Sequence, residues 1–290
     1  MRKVICLLVI ILFVSCGRQQ ISSDEKIITV SIAPFKYFVE AIAGKEYTVN
    51  VMVPAGSDPH VYEPFPEQIN NLRKSVGYIS NGYMGFEMNW LDRFYETNKQ
   101  MKKLSLSENI DPITSEDRHE GGHVEGADPH YWVSPVSAAI IAEDVKKFLI
   151  LLNPSEITLY ETNYQTLILK INDLDKKAEE LFGSARNKSI MIYHPNLAYL
   201  ARDYNFTEIP VEYEGKEPSP SRLRELIDLA RKDTLKSIFI QREYDTKNAR
   251  AIADEIGANL IIIDPLSADW LTSTTDIINA LYKSLTENTN

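Results

Sequence analysis

Between residues 153 and 184 the chain carries one uninterrupted helical pattern, and the remainder has to be arranged around it. Asn153-Pro154-Ser155-Glu156 supplies a capping side chain, a proline at the first helical position and an acid in the first turn. Apolar residues then recur three and four apart at Ile157, Tyr160, Tyr164, Leu167, Ile168, Ile171, Leu174, Ala178 and Leu181, until Gly183 offers a stop. At 1.5 Å per residue this is roughly 45 Å of continuous helix, enough to run the length of two small lobes. The expectation is a rigid strut joining two units.

The flanks agree. The chain has 290 residues, above the usual size of a single core. Before the strut, short β-branched runs alternate with helical patterns: Ile27 to Ile32, Phe35 to Ala43, Val49 to Val53, Pro66 to Arg73, Gly77 to Ser80, Phe86 to Tyr95, Lys103 to Leu106, then a long apolar segment from Ser134 to Leu152. After it come strands at Ser189 to Tyr193, Thr207 to Val211, Ser237 to Gln241 and Asn259 to Ile263, with helices between them and a closing helix from Thr274 to Leu285. Alternation of this kind predicts an α/β fold: two lobes, each a mostly parallel sheet flanked by helices, joined by one long helix. The expected divisions are 27–152 for the first lobe, 153–184 for the strut and 185–290 for the second lobe.

The first 26 residues read differently. Arg2 and Lys3 precede an apolar run from Val4 to Val14, about half the length that spans a bilayer. It ends at Ser15-Cys16, a small residue before a cysteine, in the manner of a bacterial lipoprotein signal. Cleavage before Cys16 would remove residues 1–15 and leave a lipidated Cys16 followed by a polar leash, 16–26. Cys6 leaves with the signal, so the mature chain holds one cysteine and can form neither an internal disulfide nor a thiolate metal site. The formal charge of −10 repels phosphate backbones and argues against nucleic acid as a partner.

Any metal must therefore be held by nitrogen and oxygen, and the chain offers such donors at the ends of its strands. Asp58-Pro59-His60 and Asp128-Pro129-His130 repeat one motif; His194 stands between a strand and Pro195, and Asp264 between a strand and Pro265. Ligands of open α/β sheets bind beyond the carboxyl ends of the strands. The neighbouring prolines are expected to keep these segments extended so that the side chains point outward. Three neutral imidazoles and one carboxylate form a nitrogen-rich shell that suits Zn²⁺ and suits calcium or magnesium poorly. Asp58 and Asp128 are placed to orient the rings from behind.

With the opening Ala33-Pro34, the paired Asp-Pro-His motifs, the long helix, Tyr193-His194-Pro195, Glu214-Gly215-Lys216-Glu217-Pro218-Ser219-Pro220 and Asp264-Pro265-Leu266, the chain resembles a known family. These are the metal-binding lipoproteins of bacterial zinc and manganese importers, the cluster A-I substrate-binding proteins of ABC transporters. The resemblance implies two α/β lobes with the ion between them, ligands at His60, His130, His194 and Asp264, and no catalysis. It also implies a monomer anchored by lipid in the cell envelope, facing the periplasm or the surface, and partnered by an ABC permease and its ATPase. Manganese-binding members generally carry a glutamate where this chain has His194, which favours Zn²⁺ over Mn²⁺. Zinc members often carry a long histidine-rich loop before the second Asp-Pro-His; here it holds only His119 and His123, so accessory metal capture there rests on two residues.

Two other readings compete. His119-Glu120-Gly121-Gly122-His123 matches the H-E-x-x-H pattern of zinc metallopeptidases, but that chemistry needs a helix. Two glycines each cost about 1 kcal/mol relative to alanine in a helix, and no apolar face surrounds the pattern. A surface adhesin is the other, and no sequence feature selects for it.

Overall fold

The computed structural model describes residues 26–114, 126–185, 188–212, 216, 218–244 and 246–287. The first lobe holds strands β1 (Ile27–Ile32), β2 (Thr48–Val53), β3 (Ser75–Ser80) and β4 (Lys102–Ser105), paired in parallel in the order β2-β1-β3-β4. Its helices are α1 (Ala33–Ala43), α2 (Pro66–Lys74), α3 (Gly85–Thr97) and α4 (Pro135–Leu152). Next comes α5 (Ile157–Ser184), the strut. The second lobe repeats the order with β5 (Ser189–Ile192), β6 (Thr207–Pro210), β7 (Ser237–Gln241) and β8 (Asn259–Ile263), paired β6-β5-β7-β8 and again parallel. Helices α6 (Ala198–Tyr204), α7 (Pro220–Lys232), α8 (Thr246–Ile256) and α9 (Trp270–Glu287) complete it. In each sheet the winding direction reverses beside the first strand, which opens a crevice at the strands' carboxyl ends.

Central strand β1 is buried along its whole length. Its two polar residues are satisfied inside the sheet: Thr29 Oγ1 lies 2.6 Å from Ser75 Oγ, and Ser31 Oγ donates to the carbonyl of Ile79. Helix α4 begins where Ser134 accepts from the Val136 amide ahead of Pro135, a capping side chain followed by proline at the first position.

The strut is 28 residues of α-helix, roughly 42 Å, preceded by a 3-10 turn at Pro154–Glu156. Asn153 does not cap it as its position suggested. Its amide instead donates to Glu46 Oε1 at 2.6 Å, tying the joint to the first lobe. Leu167, Ile171, Leu174, Ala178 and Phe182 are buried on α5, which packs against α1 and α4 of the first lobe and α6 and α9 of the second. One apolar core consequently runs from the first sheet, past the strut, to the inner face of the second sheet, where Ile190, Ile192 and Phe239 point. Met191, Ile238 and Ile240 alternate to the outer face and form a smaller core with Leu226, Ala249 and Ile252 of α7 and α8. Helix α9 starts four residues earlier than its apolar pattern suggests, because Asp269 accepts from the Thr272 amide.

Two tryptophans close the seam between the lobes. Trp132 Nε1 donates to the Pro265 carbonyl at 2.9 Å, and Trp270 Nε1 donates to the Trp132 carbonyl at 2.7 Å. Tyr199 OH donates to the Asp128 carbonyl at 2.9 Å, binding α6 to the loop that carries His130. No helix among the described residues is long and apolar enough to cross a membrane.

Candidate metal centre

The two Asp-Pro-His segments fold into the same local turn. In each, the aspartate Oδ1 accepts from the histidine's own backbone N–H, at 2.8 Å for Asp58 and His60 and 2.8 Å for Asp128 and His130. A short carboxylate capturing the amide two residues on is an Asx turn, and the intervening proline fixes the φ it needs. The backbone at His130 is not extended (φ −87°, ψ 29°) and passes straight into a 3-10 turn, Tyr131–Val133. Pro129 restricts the residue before it, Asp128, and leaves His130 free to turn.

The rings are held unequally. Asp128 Oδ1 also lies 2.9 Å from His130 Nδ1, so that nitrogen carries a proton toward the carboxylate and presents the lone pair of Nε2. Asp58 holds only the backbone of His60. On the second lobe, His194 Nδ1 lies 3.2 Å from Glu212 Oε1, and its ring stacks on Tyr244 with centroids 4.9 Å apart. His194 Nε2 is buried and has no hydrogen-bond partner among the described residues.

These three histidines, from three separate loops, converge. Their ring centroids are 5.0 to 5.3 Å apart, and one ring nitrogen from each lies within 4.8 Å of the others. His60 Nε2 and His130 Nε2 are 3.3 Å apart. A tetrahedral zinc with bonds of 2.0–2.1 Å sets its nitrogens about 3.3–3.4 Å apart. Burial, reinforced by the two neighbouring imidazoles, lowers the His60 pKa to about 3, which keeps the ring neutral and able to bind a cation.

The cavity around the rings holds about 20 Å³, room for on the order of one water-sized body. Asn196 and Gln241, each 2% exposed, line it, and their side-chain oxygens have no hydrogen-bond partner among the described residues. Gln241 Nε2 donates to the His194 carbonyl, which fixes which end of the amide is oxygen. Glu243 also lines the cavity. Burial raises the pKa of its carboxyl, and the negative charges of Asp264 and Asp58 act in the same direction.

Asp264 does not join the histidines: its Oδ2 lies 2.9 Å from Arg242 Nη1, and it is outside the cluster of ring nitrogens. Cys16 and the stretch containing His119, Glu120 and His123 lie outside the described residues, as do Glu214, Gly215 and Glu217. Sequence reasoning missed Glu212, Asn196, Gln241 and Glu243. Gln241 is the last residue of β7, and the other three lie in the segments that follow β5, β6 and β7, with no motif to mark them.

A family model described as "ZnuA: Zinc-uptake complex component A periplasmic" matches residues 28–287. The zinc-binding lipoprotein AdcA of Streptococcus pneumoniae (strain ATCC BAA-255 / R6) is 26% identical over 267 residues, 88% of this chain and 53% of its own. This chain thus spans about half the length of that relative. The manganese ABC transporter substrate-binding lipoprotein scaA of Streptococcus gordonii is 28% identical, covering 87% of this chain and 84% of its own. The crystal structure of a ZnuA deletion mutant with zinc bound superposes with a TM-score of 0.83 at 35% identity, covering 90% of this chain and 98% of the other. The family is one of metal-uptake components and not of enzymes. Its model spans both lobes and the strut between them, and this chain belongs to the ZnuA family.

Proposed function

We propose that the chain is the substrate-binding component of a metal ABC importer, capturing Zn²⁺ between its lobes on His60, His130 and His194 and passing it to a membrane permease driven by an ATPase. The observation that carries the choice of ion is the donor set: three imidazoles from separate loops, two of them with Nε2 atoms at zinc spacing. Nitrogen donors of this kind favour zinc over manganese, whose preference runs to oxygen. The names of AdcA and of the zinc-bound ZnuA structure support the same ion, and scaA shows that manganese binders occur among the relatives. In this reading residues 1–15 are removed on export, lipid on Cys16 holds the protein at the envelope, and 27–152, 153–184 and 185–290 act as lobe, strut and lobe.

Metal analysis of protein purified without added metal, followed by chelator-competition titrations with Zn²⁺ and Mn²⁺, tests this. One tight zinc per chain is expected, with weaker manganese, and His130→Ala should lose more than about 100-fold in zinc affinity, beyond the usual cost of removing an outer partner. Wild-type zinc binding by His130→Ala would place the ion elsewhere.

A further inference from the structure

The formal charge of −10 is not spread evenly over the chain. The strands of the first sheet are all parallel and enter it from one end, and each enters beside a cation. Lys26 precedes β1, Lys45 precedes β2, Arg73 and Lys74 close α2 ahead of β3, and Lys102 and Lys103 open β4. All are exposed, and among the described residues Lys26 alone of them pairs with a carboxylate, Glu46 at 3.1 Å. The entries are laced into one row: the Thr48 amide donates to the Lys26 carbonyl at 2.9 Å, and Asn98 Nδ2 donates to the carbonyls of Arg73 at 3.1 Å and Ser75 at 2.8 Å. Against these cations stand Glu96, Glu156 and Glu46, the last already engaged by Lys26, Asn153 and Tyr160. Beyond the opposite end of the sheet lie Asp58, Glu63 and Asp128, with His60 and His130. The lobe is basic where its strands begin and acidic where they end.

Two further features mark the basic end. The joint between α4 and α5 is bonded to it through Asn153 and Glu46, and that joint exposes aliphatic side chains: Leu151 is 60%, Ile157 47% and Leu159 42% exposed. Cations beside exposed aliphatic groups suit an anionic lipid surface, where charge draws the protein in and the apolar groups enter the headgroup boundary. The chain that precedes the described residues also arrives here. Residues 16–25 join Cys16 to Lys26 and span at most about 35 Å, so lipid on Cys16 tethers the first lobe by this end and not by the cleft.

We propose that the entry edge of the first sheet, together with the α4–α5 joint, is a membrane-contact face that rests on anionic phospholipid and holds the cleft toward the medium from which the ion arrives. This rests on the lipid anchor at Cys16 in the reading above. The acidic remainder of the molecule lies more than a Debye length away, about 10 Å at 0.1 M salt, so the nearest face decides the pose. A short tether raises the effective concentration of the surface until a few weak contacts suffice. Each cation at such a surface is worth about fivefold in affinity, which leaves the contact weak enough to break when the lobes meet a permease.

The test uses the chain from Cys16 onward, coupled through its one thiol to maleimide-bearing lipid in vesicles, so that the anchor is supplied chemically. Acetylation of lysines, read by mass spectrometry, reports the pose. On phosphatidylcholine vesicles containing phosphatidylglycerol, Lys45, Lys74, Lys102 and Lys103 should react at least about fivefold more slowly than on phosphatidylcholine alone. Lys176 and Lys232, exposed on the strut and on the second lobe, should not change. Salt at about 1 M should remove the difference. Arg73→Glu combined with Lys74→Glu should remove the protection of Lys45, Lys102 and Lys103 while zinc affinity stays at wild type, which shows the fold intact. Equal reactivity on the two kinds of vesicle would overturn the proposal. So would protection by inorganic phosphate without vesicles, or protection in free solution that grows with protein concentration, the mark of a second copy. The anchor is checked separately, by detergent partition of the exported wild type and of Cys16→Ser: partition that survives the substitution would remove the natural tether and, with it, the proposal.

Discussion

In the first lobe two histidines are set by the same Asp-Pro-His turn, and His130 is buried against Trp132; in the second, His194 follows the end of β5 and takes its ring partner, Glu212, from the neighbouring chain end beyond β6. The strand orders are identical, so topology does not cause the difference. Packing does. The first lobe and the inner face of the second share one core through α5, whereas α7 and α8 cover a separate, smaller core. The histidine cluster is thus drawn from two turns of the first lobe and from the segment after β5, whose ring and carbonyl are held by residues beyond β6 and at the end of β7.

The strongest challenge to this contrast is Trp270→Ala. Trp270 lies in the shared core and supports the Trp132 carbonyl beside His130. The substitution should cost about 3–5 kcal/mol and also weaken zinc binding. Leu226→Ala, in the outer core, should cost about 2–5 kcal/mol and leave zinc affinity near wild type. Urea denaturation with and without zinc measures both; equal damage to zinc binding by the two would erase the distinction between the cores.

Smaller effects are expected behind the rings. Asp128→Asn and Glu212→Gln each remove a carboxylate from an imidazole Nδ1 and should lower zinc affinity about 10–100-fold. Asp58→Asn, which touches only the His60 backbone, should lower it less. If Asp58→Asn proved the most damaging of the three in chelator competition, ring orientation would not be what these carboxylates provide.

The gentlest probe is pH. An unfolded His60 takes up a proton below about pH 6.5, but the folded site refuses it until about pH 3. Above pH 6.5 the two states bind protons equally at this residue. Across the window from 6.5 down to 3, each unit of acidification costs the metal-free fold up to about 1.4 kcal/mol. His60→Gln should flatten that part of the stability curve, and an unchanged curve by urea titration at several pH values would remove His60 as its source. Over the same range His60 offers no proton competition to zinc, so the affinity should fall with a slope below three.

The fold was legible because its signals are local and repeated: alternating β-branched runs, a proline-led strut, and a capping serine before Pro135. The three histidines were legible because each sits beside a proline, and two share a turn motif. Glu212 and Glu243 were not legible, since a lone acid after a strand carries no pattern and its place beside the rings arises only when β6 and β7 come to lie on either side of β5. Asp264 shows what its Asp-Pro-Leu context leaves out: the residue it pairs with, Arg242, is distant in sequence and brought near by the pairing of β7 with β8.

The strut also decides how the chain can be divided. The chain of the first lobe ends at Leu152, yet α4 packs on α5, and Ile141, Val145 and Leu149 of α4 are buried in the finished protein. A fragment ending at residue 152 would leave uncovered the apolar flank that α5 covers, so the first lobe closes only when residues 157–184 are in place.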